Sequence, residues 1–265
     1  MQFFLSLDHH LETLLAGIDW DDLLPEELKS VYQEFRRTLP SLENLTIPRW
    51  TKVTKGSQLE LHGFCDASQK AYAAVVYLRV KDNDEFYCNI LAAKTKVAPT
   101  KPVTLPRLEL MGAVYLSKLI TKVKTALKMP TIPIYCWRDS TITLAWIHSD
   151  PAERKPFVAN RIAKIQESVA REHWRHVRSK DDAADVASRG IMPNDLHGLN
   201  LWFHGPAWLQ QEFTPESVLL EETTKELRKA EVHHARRDKD FIQNFSSYHR
   251  LIRCVAFIRR YVTNF

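Results

Sequence analysis

The clearest indication of the fold is given by residues 58–93, which read QLELHGFCDASQKAYAAVVYLRVKDNDEFYCNILAA. Apolar and polar residues alternate over 59–65, residues 71–80 are almost continuously apolar, and residues 86–93 form a third apolar run. Alternation and short apolar runs of this kind are typical of β-strands. The polar residues 81–84 predict a turn between the second and third runs. The segment therefore predicts three consecutive strands in an antiparallel meander.

The chain beyond this segment alternates between helical and strand-like patterns. Residues 105–127 form a long run with apolar side chains at helical spacing, at positions 108, 111, 115, 119 and 123. Further strands are predicted over 132–137 and 173–177, and further helices over 140–148 and 157–170. The resulting order is β-β-β-α-β-α-α-β. This order predicts an α/β fold in which helices flank a mixed five-stranded sheet.

The two ends of the chain differ from its middle. Residues 26–39 predict a helix that follows an acidic turn, and two prolines, Pro40 and Pro48, close this segment. After Pro193 comes an aromatic stretch, residues 201–209, and then a charged helical tail. We therefore divide the chain into a helical segment, residues 1–52, an α/β domain, residues 53–195, and an aromatic and helical segment, residues 196–265.

Composition excludes several classes of protein. Of the 265 residues, 45% are hydrophobic and 26% are charged, which argues against wholesale disorder. The longest apolar run, 71–78, is far shorter than the roughly twenty residues of a membrane-spanning helix. The N-terminus does not resemble a secretory signal, and the four cysteines lack zinc-knuckle spacing, so we interpret them as reduced thiols. We expect an intracellular, cytoplasmic protein without a membrane partner. Its net charge of +5 is compatible with a polyanionic partner.

Four acidic residues stand where separate predicted elements begin or end. Asp66 ends the first strand, Asp139 ends the fourth, Glu109 lies one turn into the long helix, and Asp185 follows a polar loop. Taken singly, each could cap a helix or lie in solvent. If they converge, their mutual repulsion requires cations, and Mg²⁺ is the divalent ion that oxygen ligands suit. The pattern therefore favours a metal site, with capping as the alternative for each acid.

A series of motifs runs in order through residues 59–209. They are LHGFCDAS at 61–68, LAAKTKVAP at 91–99, LPRLEL at 105–110, DST at 139–141, LAWI at 144–147, FVANR at 157–161, WRHV at 174–177, ADVASRG at 184–190 and WFHGPAWL at 202–209. In these motifs the chain resembles the ribonuclease H region of BEL/Pao-type retrotransposon polyproteins, a region also named as a Pao retrotransposon peptidase family. The resemblance implies a ribonuclease H-like fold with helical N- and C-terminal extensions.

The resemblance also implies which residues carry the chemistry. Asp66, Glu109, Asp139 and Asp185 would be the catalytic and metal-binding acids of a two-ion site for Mg²⁺, with Mn²⁺ as a substitute. Asp66 would bridge both ions, Asp185 would help to hold the ion at the attacking water, and Glu109 and Asp139 would hold the other ion. The implied reaction is endonucleolytic hydrolysis of the RNA strand of RNA–DNA hybrids, which leaves a 5′-phosphate and a 3′-hydroxyl.

The partners follow from the same resemblance. Lys94, Lys96, Lys101 and Arg107 surround the loop that enters the long helix, and we predict that they contact hybrid phosphates; simple solvation is the alternative. Choice of the RNA strand requires contacts to 2′-hydroxyls in the wide minor groove. The two ends resemble the segments that connect a reverse transcriptase and an integrase in a parent polyprotein. We therefore expect an RNA–DNA hybrid and the reverse transcriptase and integrase segments of the parent polyprotein as partners.

Two departures from the family pattern leave other hypotheses open. The loop 179–184 lacks the histidine that many relatives carry there, and Arg138 stands where similar sequences have a small or neutral residue, so that it could pair with a metal ligand. The second hypothesis is therefore a catalytically impaired domain that binds nucleic acid or persists as a relic, with residues 202–209 as a partner surface. The alternative for residues 202–209 is an aromatic flap that packs onto the core of its own domain. An aspartic peptidase is less favoured, because the chain has no Asp-Thr-Gly or Asp-Ser-Gly turn.

Overall fold

The computed structural model describes residue 23, residues 25–212 and residues 226–227. Most of the acidic turn predicted before residue 26 lies outside these residues, as does the charged helical tail predicted after the aromatic stretch. Within them, no helix is both long enough and apolar enough to cross a bilayer.

Five strands form one mixed sheet. They are β1 Gln58–Ala67, β2 Ala71–Asp82, β3 Glu85–Val97, β4 Ile134–Arg138 and β5 Trp174–His176. In space the order is β3-β2-β1-β4-β5. The first three strands pair antiparallel, whereas β4 runs parallel to β1 and β5 runs parallel to β4. The structure thus confirms both the predicted meander and the mixed five-stranded sheet.

Six α-helices surround the sheet among the described residues. They are α1 Glu26–Thr38, α2 Leu105–Ala126, α3 Thr141–His148, α4 Pro156–Ser168, α5 Asp185–Arg189 and α6 Asn200–His204. The residues at the starts of these helices are ones that favour helix N-termini. Prolines lie in the first turns of α2 and α4, and the Ser140 side chain accepts a hydrogen bond from the Thr143 amide at the start of α3. Short 3₁₀ turns connect several of these elements.

The turn between β2 and β3 is shorter than predicted. Asp82 already pairs with Glu85, so only Asn83 and Asp84 make the turn rather than the four residues 81–84. Asn83 has a φ of 53°, a left-handed conformation that asparagine tolerates better than most residues. The tight turn lets pairing extend along β3 as far as Val97.

The sheet separates two hydrophobic clusters, because successive residues of a strand point to opposite faces. On one face, Leu61 and Val76 pack in a cluster with residues of α2 and α4. On the other face, Phe64 and Tyr77 pack in a second cluster that includes Trp202 and neighbouring aromatic residues. Each face of the sheet is thereby covered.

The aromatic stretch 201–209 packs onto its own sheet. Trp202 and Leu209 are buried, and the Tyr77 hydroxyl donates to the Trp202 carbonyl at 2.7 Å. Arg79 Nε donates to the Leu209 carbonyl at 2.8 Å. The side chains of Trp202 and Leu209 are therefore buried within the domain and are not available to the partner surface that we considered for this stretch.

Helix α2 lies unusually close to β1. A Cβ atom at Gly112 would stand 3.1 Å from the carbonyl oxygen of Asp66, and one at Gly63 would stand 2.4 Å from Leu116 Cδ1. These two glycines allow the close approach that places the first turns of α2 beside the end of β1.

The buried face of α2 is broader than the predicted stripe. Leu108 and Leu119 are buried, but the stripe positions 111, 115 and 123 are only half-buried. Burial extends instead to Leu110, Leu116 and Ile120. The reason is that α2 contacts both the sheet and α4, so two sides of the helix are covered.

Candidate active site

Three carboxylates meet at one edge of the sheet. Asp66 lies near the end of β1 and Asp139 follows β4 directly, and because the two strands are parallel their carboxyl ends lie at the same edge. Asp182, in the loop between β5 and α5, joins them there. One carboxylate oxygen from each of the three lies within 4.8 Å of the other two. Such a group of oxygen donors could hold a divalent cation.

Asp66 is almost fully enclosed, with 8% of its surface exposed. Ser188 Oγ donates to its Oδ2 at 2.5 Å. Burial raises the pKa of Asp66 to about 6, although the Ser188 hydrogen bond and the positive charge of Arg138 act in the opposite direction. The nearby carboxylate of Asp139 also raises this pKa. The neutral form of Asp66 is therefore more favoured than that of an exposed carboxyl group, and a bound cation would act in the opposite direction.

Asp139 is held at both its side chain and its backbone. Ser179 Oγ donates to its Oδ2 at 2.9 Å, and Nε2 of His176 lies 3.1 Å from its carbonyl oxygen. His176 is one of the two histidines of the segment that we predicted as the last strand. His176 thus contacts the backbone of Asp139, a candidate metal ligand.

Asp182 is the member of this cluster that sequence analysis missed. It is 1% exposed, its Oδ1 accepts from the Ala184 amide at 2.9 Å, and its Oδ2 has no hydrogen-bond partner among the described residues. Burial, followed by the negative charge of Asp66, raises the pKa of Asp182 well above its ordinary value. A buried carboxylate oxygen without a hydrogen-bond partner, in a residue that lies beside two other acids, is available to a cation.

Glu109 lies beside this cluster, in the first turns of α2. Its Oε2 accepts from Thr143 Oγ1 at 2.9 Å and lies 3.4 Å from Nη2 of Arg138. Its carboxylate is therefore fixed by a hydroxyl from α3 and by a guanidinium from β4.

Arg138 is completely buried beside Glu109. Its Nη1 donates to the Cys65 carbonyl at 3.0 Å, while Nε and Nη2 have no hydrogen-bond partner among the described residues. Burial lowers the pKa of Arg138, but Cys65 and the neighbouring acids more than reverse this and leave the pKa above its ordinary value. The residue is thus a fixed positive charge, and it pairs with a candidate ligand, Glu109, as the sequence had suggested.

Asp185 stands at the start of α5, next to the cluster. Its Oδ1 lies 2.6 Å from Nε of Arg189, and about a third of its side chain is exposed (35%). Its carbonyl oxygen lies 3.1 Å from Ser188 Oγ, the hydroxyl that donates to Asp66. Among the four predicted acids, the structure therefore places Asp66 and Asp139 in one cluster, with Glu109 beside it and Asp185 on the adjoining helix.

The four predicted phosphate contacts lie around the same end of the sheet. Lys94 and Lys96 are exposed near the end of β3, which reaches the edge where Asp66 lies, and Lys101 is exposed in the loop before α2. Arg107, in the first turn of α2, differs from the lysines because it is half-buried and pairs with Glu226.

A mixed five-stranded sheet with acids gathered at the carboxyl ends of β1 and β4 defines a ribonuclease H-like domain. A family model described as Pao retrotransposon-like RNaseH-like domain matches residues 8–140, and the chain belongs to this family.

Several solved structures are similar to part of the chain. RNase H1 from Halobacterium salinarum NRC-1 is 12% identical, with a TM-score of 0.31 over 48% of this chain and 90% of that chain. The N-terminal RNase H domain of a Mycobacterium tuberculosis protein is 13% identical, with a TM-score of 0.35 over 49% and 94%. LC11-RNase H1 in complex with an RNA/DNA hybrid is 12% identical, with a TM-score of 0.35 over 52% and 99%. No curated protein matches the chain.

The raised pKa of Asp66 predicts a pH dependence of stability for the metal-free protein. Because this pKa is about 6 in the folded state, the folded chain holds a proton that the unfolded chain has already lost between about pH 4 and pH 6. The stability due to this proton is complete below that window and is lost as the pH rises through it. Relative to Asp66→Asn, we expect the wild-type melting temperature to fall by about 5 to 10 °C across the window.

Thermal melts in a chelating buffer would measure this difference at several pH values. Asp195→Asn, at an exposed position in a 3₁₀ turn, is the matched control and should show no such trend. A wild-type melting temperature that stays parallel to that of Asp66→Asn at every pH would contradict the prediction.

Proposed function

We propose that this domain hydrolyses the RNA strand of RNA–DNA hybrids in a metal-dependent endonucleolytic reaction, as one part of a retrotransposon-derived polyprotein. The observation that carries the proposal is the convergence of Asp66, Asp139 and Asp182 within 4.8 Å of one another at the sheet edge. Membership of the Pao retrotransposon-like RNaseH-like family supports it.

The residues at this edge fit a cation. They offer hard oxygen donors, and Oδ2 of Asp182 is buried without a hydrogen-bond partner among the described residues. Mg²⁺ ions held there, or Mn²⁺ in their place, would supply an activated water and stabilise the departing oxygen. We propose Asp66, Asp139 and Asp182 as the inner ligands, with Glu109 and Asp185 as the ligands that the resemblance adds.

The other side chains at the site act on these ligands. Ser188 fixes Oδ2 of Asp66, Ser179 fixes Oδ2 of Asp139, and Thr143 fixes Oε2 of Glu109. Hydroxyl donors hold carboxylates in place without adding charge, so the cluster keeps its attraction for cations. Selection of RNA over DNA is assigned to contacts with 2′-hydroxyls, because the phosphodiester groups of the two strands are alike.

A second candidate function is nucleic-acid binding without cleavage. The observation that favours it is Arg138, whose buried positive charge lies 3.4 Å from Glu109 and competes with a bound cation. An aspartic peptidase gains no such support, because the residues after Asp66 and Asp139 are not the glycine-containing turns that this chemistry uses.

Cleavage of an end-labelled hybrid separates these functions. The purified chain is incubated with the hybrid in Mg²⁺ or in a chelator, beside single-stranded RNA and duplex DNA of the same sequence. We expect RNA cleavage in the hybrid with Mg²⁺ only, and products with 5′-phosphates. Tight, salt-sensitive hybrid binding without Mg²⁺-dependent products would establish the binding function instead.

Substitution of single acids tests which carboxylates hold the cation. We expect Asp182→Asn to weaken Mg²⁺ binding by roughly tenfold or more, since it removes the unpartnered buried carboxylate oxygen. Asp185→Asn should weaken it less, because Asp185 is partly exposed and is paired with Arg189. Calorimetric titration of the metal-free proteins with Mg²⁺ measures both effects. If Asp185→Asn loses more affinity for Mg²⁺ than Asp182→Asn does, Asp185 and not Asp182 is the inner ligand.

The remaining partners and the location complete the proposal. The segments preceding and following this domain in the parent polyprotein are proposed to be a reverse transcriptase and an integrase. The proposed location is intracellular, where reverse transcription would supply the hybrids.

A further inference from the structure

Three cations gather where α2 and α4 meet. Arg107 lies in the first turn of α2, Lys155 precedes α4 directly, and Arg161 lies within α4. The Cζ atoms of Arg107 and Arg161 stand 4.8 Å and 3.4 Å from the centroid of the same ring, that of Phe157. Burial lowers the pKa of Arg161, and the positive charge of Arg107 lowers it further. The cluster therefore concentrates positive charge that an anion would relieve.

One carboxylate from a distant part of the chain already binds two of these cations. Oε1 of Glu226 lies 2.9 Å from Nη2 and 3.1 Å from Nε of Arg107, and Oε2 lies 3.6 Å from Nζ of Lys155. The backbone reinforces the contact, because the Lys155 amide donates to the Glu226 carbonyl at 2.8 Å and Leu227 forms an antiparallel bridge with Arg154. Glu226 is thus held on the cations by main chain as well as by charge.

The same donors suit a phosphate. An arginine that presents Nε and Nη2 to one oxygen, with a lysine at the other oxygen, binds phosphate oxygens as readily as carboxylate oxygens. Arg107 and Glu109 both lie in the first turns of α2, but their side chains, two residues apart on a helix, point to different sides of it. The pair would therefore meet the backbone of a strand that extends beyond the acids, and not the phosphate that lies at them.

We propose that Arg107 and Lys155 form a phosphate-binding site for the backbone of the hybrid, and that the Glu226 carboxylate occupies this site until nucleic acid displaces it. The inference rests on the proposed function for the identity of its ligand, and it adds Lys155 and an internal competitor to that function. Phosphate contacts carry no sequence information, so the site should act on hybrid and on duplex DNA alike.

Binding of fluorescently labelled hybrid and duplex DNA to the full chain, measured by anisotropy in a chelating buffer, tests the proposal without any cleavage. We expect Glu226→Gln and Glu226→Ala to bind both duplexes roughly three- to fivefold more tightly than wild type, the size of a partly exposed ion pair. Lys155→Gln should bind more weakly, and combining it with Glu226→Gln should remove most of the gain.

The matched control is Glu212→Gln, which also removes one negative charge from an ion pair, with Lys81 at 3.3 Å. If both Glu226 variants bind no more tightly than Glu212→Gln, the proposal is overturned. Its failure is distinct from failure of the proposed function. If the Glu226 variants bind more tightly but the protein does not cleave the hybrid, the nuclease function is rejected and the phosphate-binding site is retained. If the protein cleaves the hybrid but the Glu226 variants bind as wild type does, the nuclease function is retained and the phosphate-binding site is rejected.

Discussion

Asp66→Asn is expected to abolish hydrolysis of the hybrid, with a loss on the order of a thousandfold in cleavage rate. One carboxylate oxygen of Asp66 lies within 4.8 Å of oxygens of Asp139 and Asp182, so loss of its charge removes one of the three carboxylates of the cluster. Asparagine keeps the size of the side chain and an oxygen that can accept from Ser188. The variant should therefore fold, and at neutral pH its metal-free form should be no less stable than wild type.

The assay is cleavage of an end-labelled hybrid by the two proteins at equal concentration. Asp195→Asn makes the same chemical change at an exposed position and should cleave as wild type does. Equal cleavage by Asp66→Asn and wild type would place the reaction elsewhere in the chain or in a contaminant.

Arg138→Met is expected to tighten Mg²⁺ binding by about tenfold or more. A fully buried positive charge 3.4 Å from Oε2 of Glu109 repels a cation at the neighbouring acids, and methionine fills much of the same space without charge. In the metal-free protein the same change leaves Glu109 without its cation, so the free energy of unfolding should fall by about 3 kcal/mol. Mg²⁺ should then stabilise the variant more than it stabilises wild type.

Calorimetric titration and thermal melts with increasing Mg²⁺ measure the two effects. Arg171→Met is the control, since Arg171 is exposed and donates to the carbonyl of His148. Weaker Mg²⁺ binding by Arg138→Met than by this control would show that Arg138 supports the cation site instead of opposing it.

Much of the fold follows from periodicity alone. The alternating and apolar runs of residues 58–93 predict the meander, and the helical spacing of 105–127 predicts α2, since each pattern matches the geometry of one kind of element. The exact length of the turn between β2 and β3 was not predictable from periodicity, because it depends on how far the two strands pair. The buried face of α2 did not follow either, because α4 covers a second side of that helix.

The candidate site is predictable only in part. Asp66 and Asp139 end parallel strands, so strand order alone brings them together. Asp182 and Asp185 stand three residues apart in the run DDAAD, and only the path of the chain after β5 decides which carboxylate faces the others. Glu226 carries no local signal at all, because its contacts with Arg107 and Lys155 join parts of the chain that are distant in sequence.

Counting bound ions tests the cluster itself. Metal-free wild-type protein is titrated with Mn²⁺ in the presence of a hybrid that cannot be cleaved, and free Mn²⁺ is followed by electron paramagnetic resonance, beside the double variant Asp66→Asn/Asp139→Asn. We expect about two tightly bound ions per wild-type chain and none in the double variant. Equal numbers of bound ions in the two proteins would contradict the convergence of these acids on a cation.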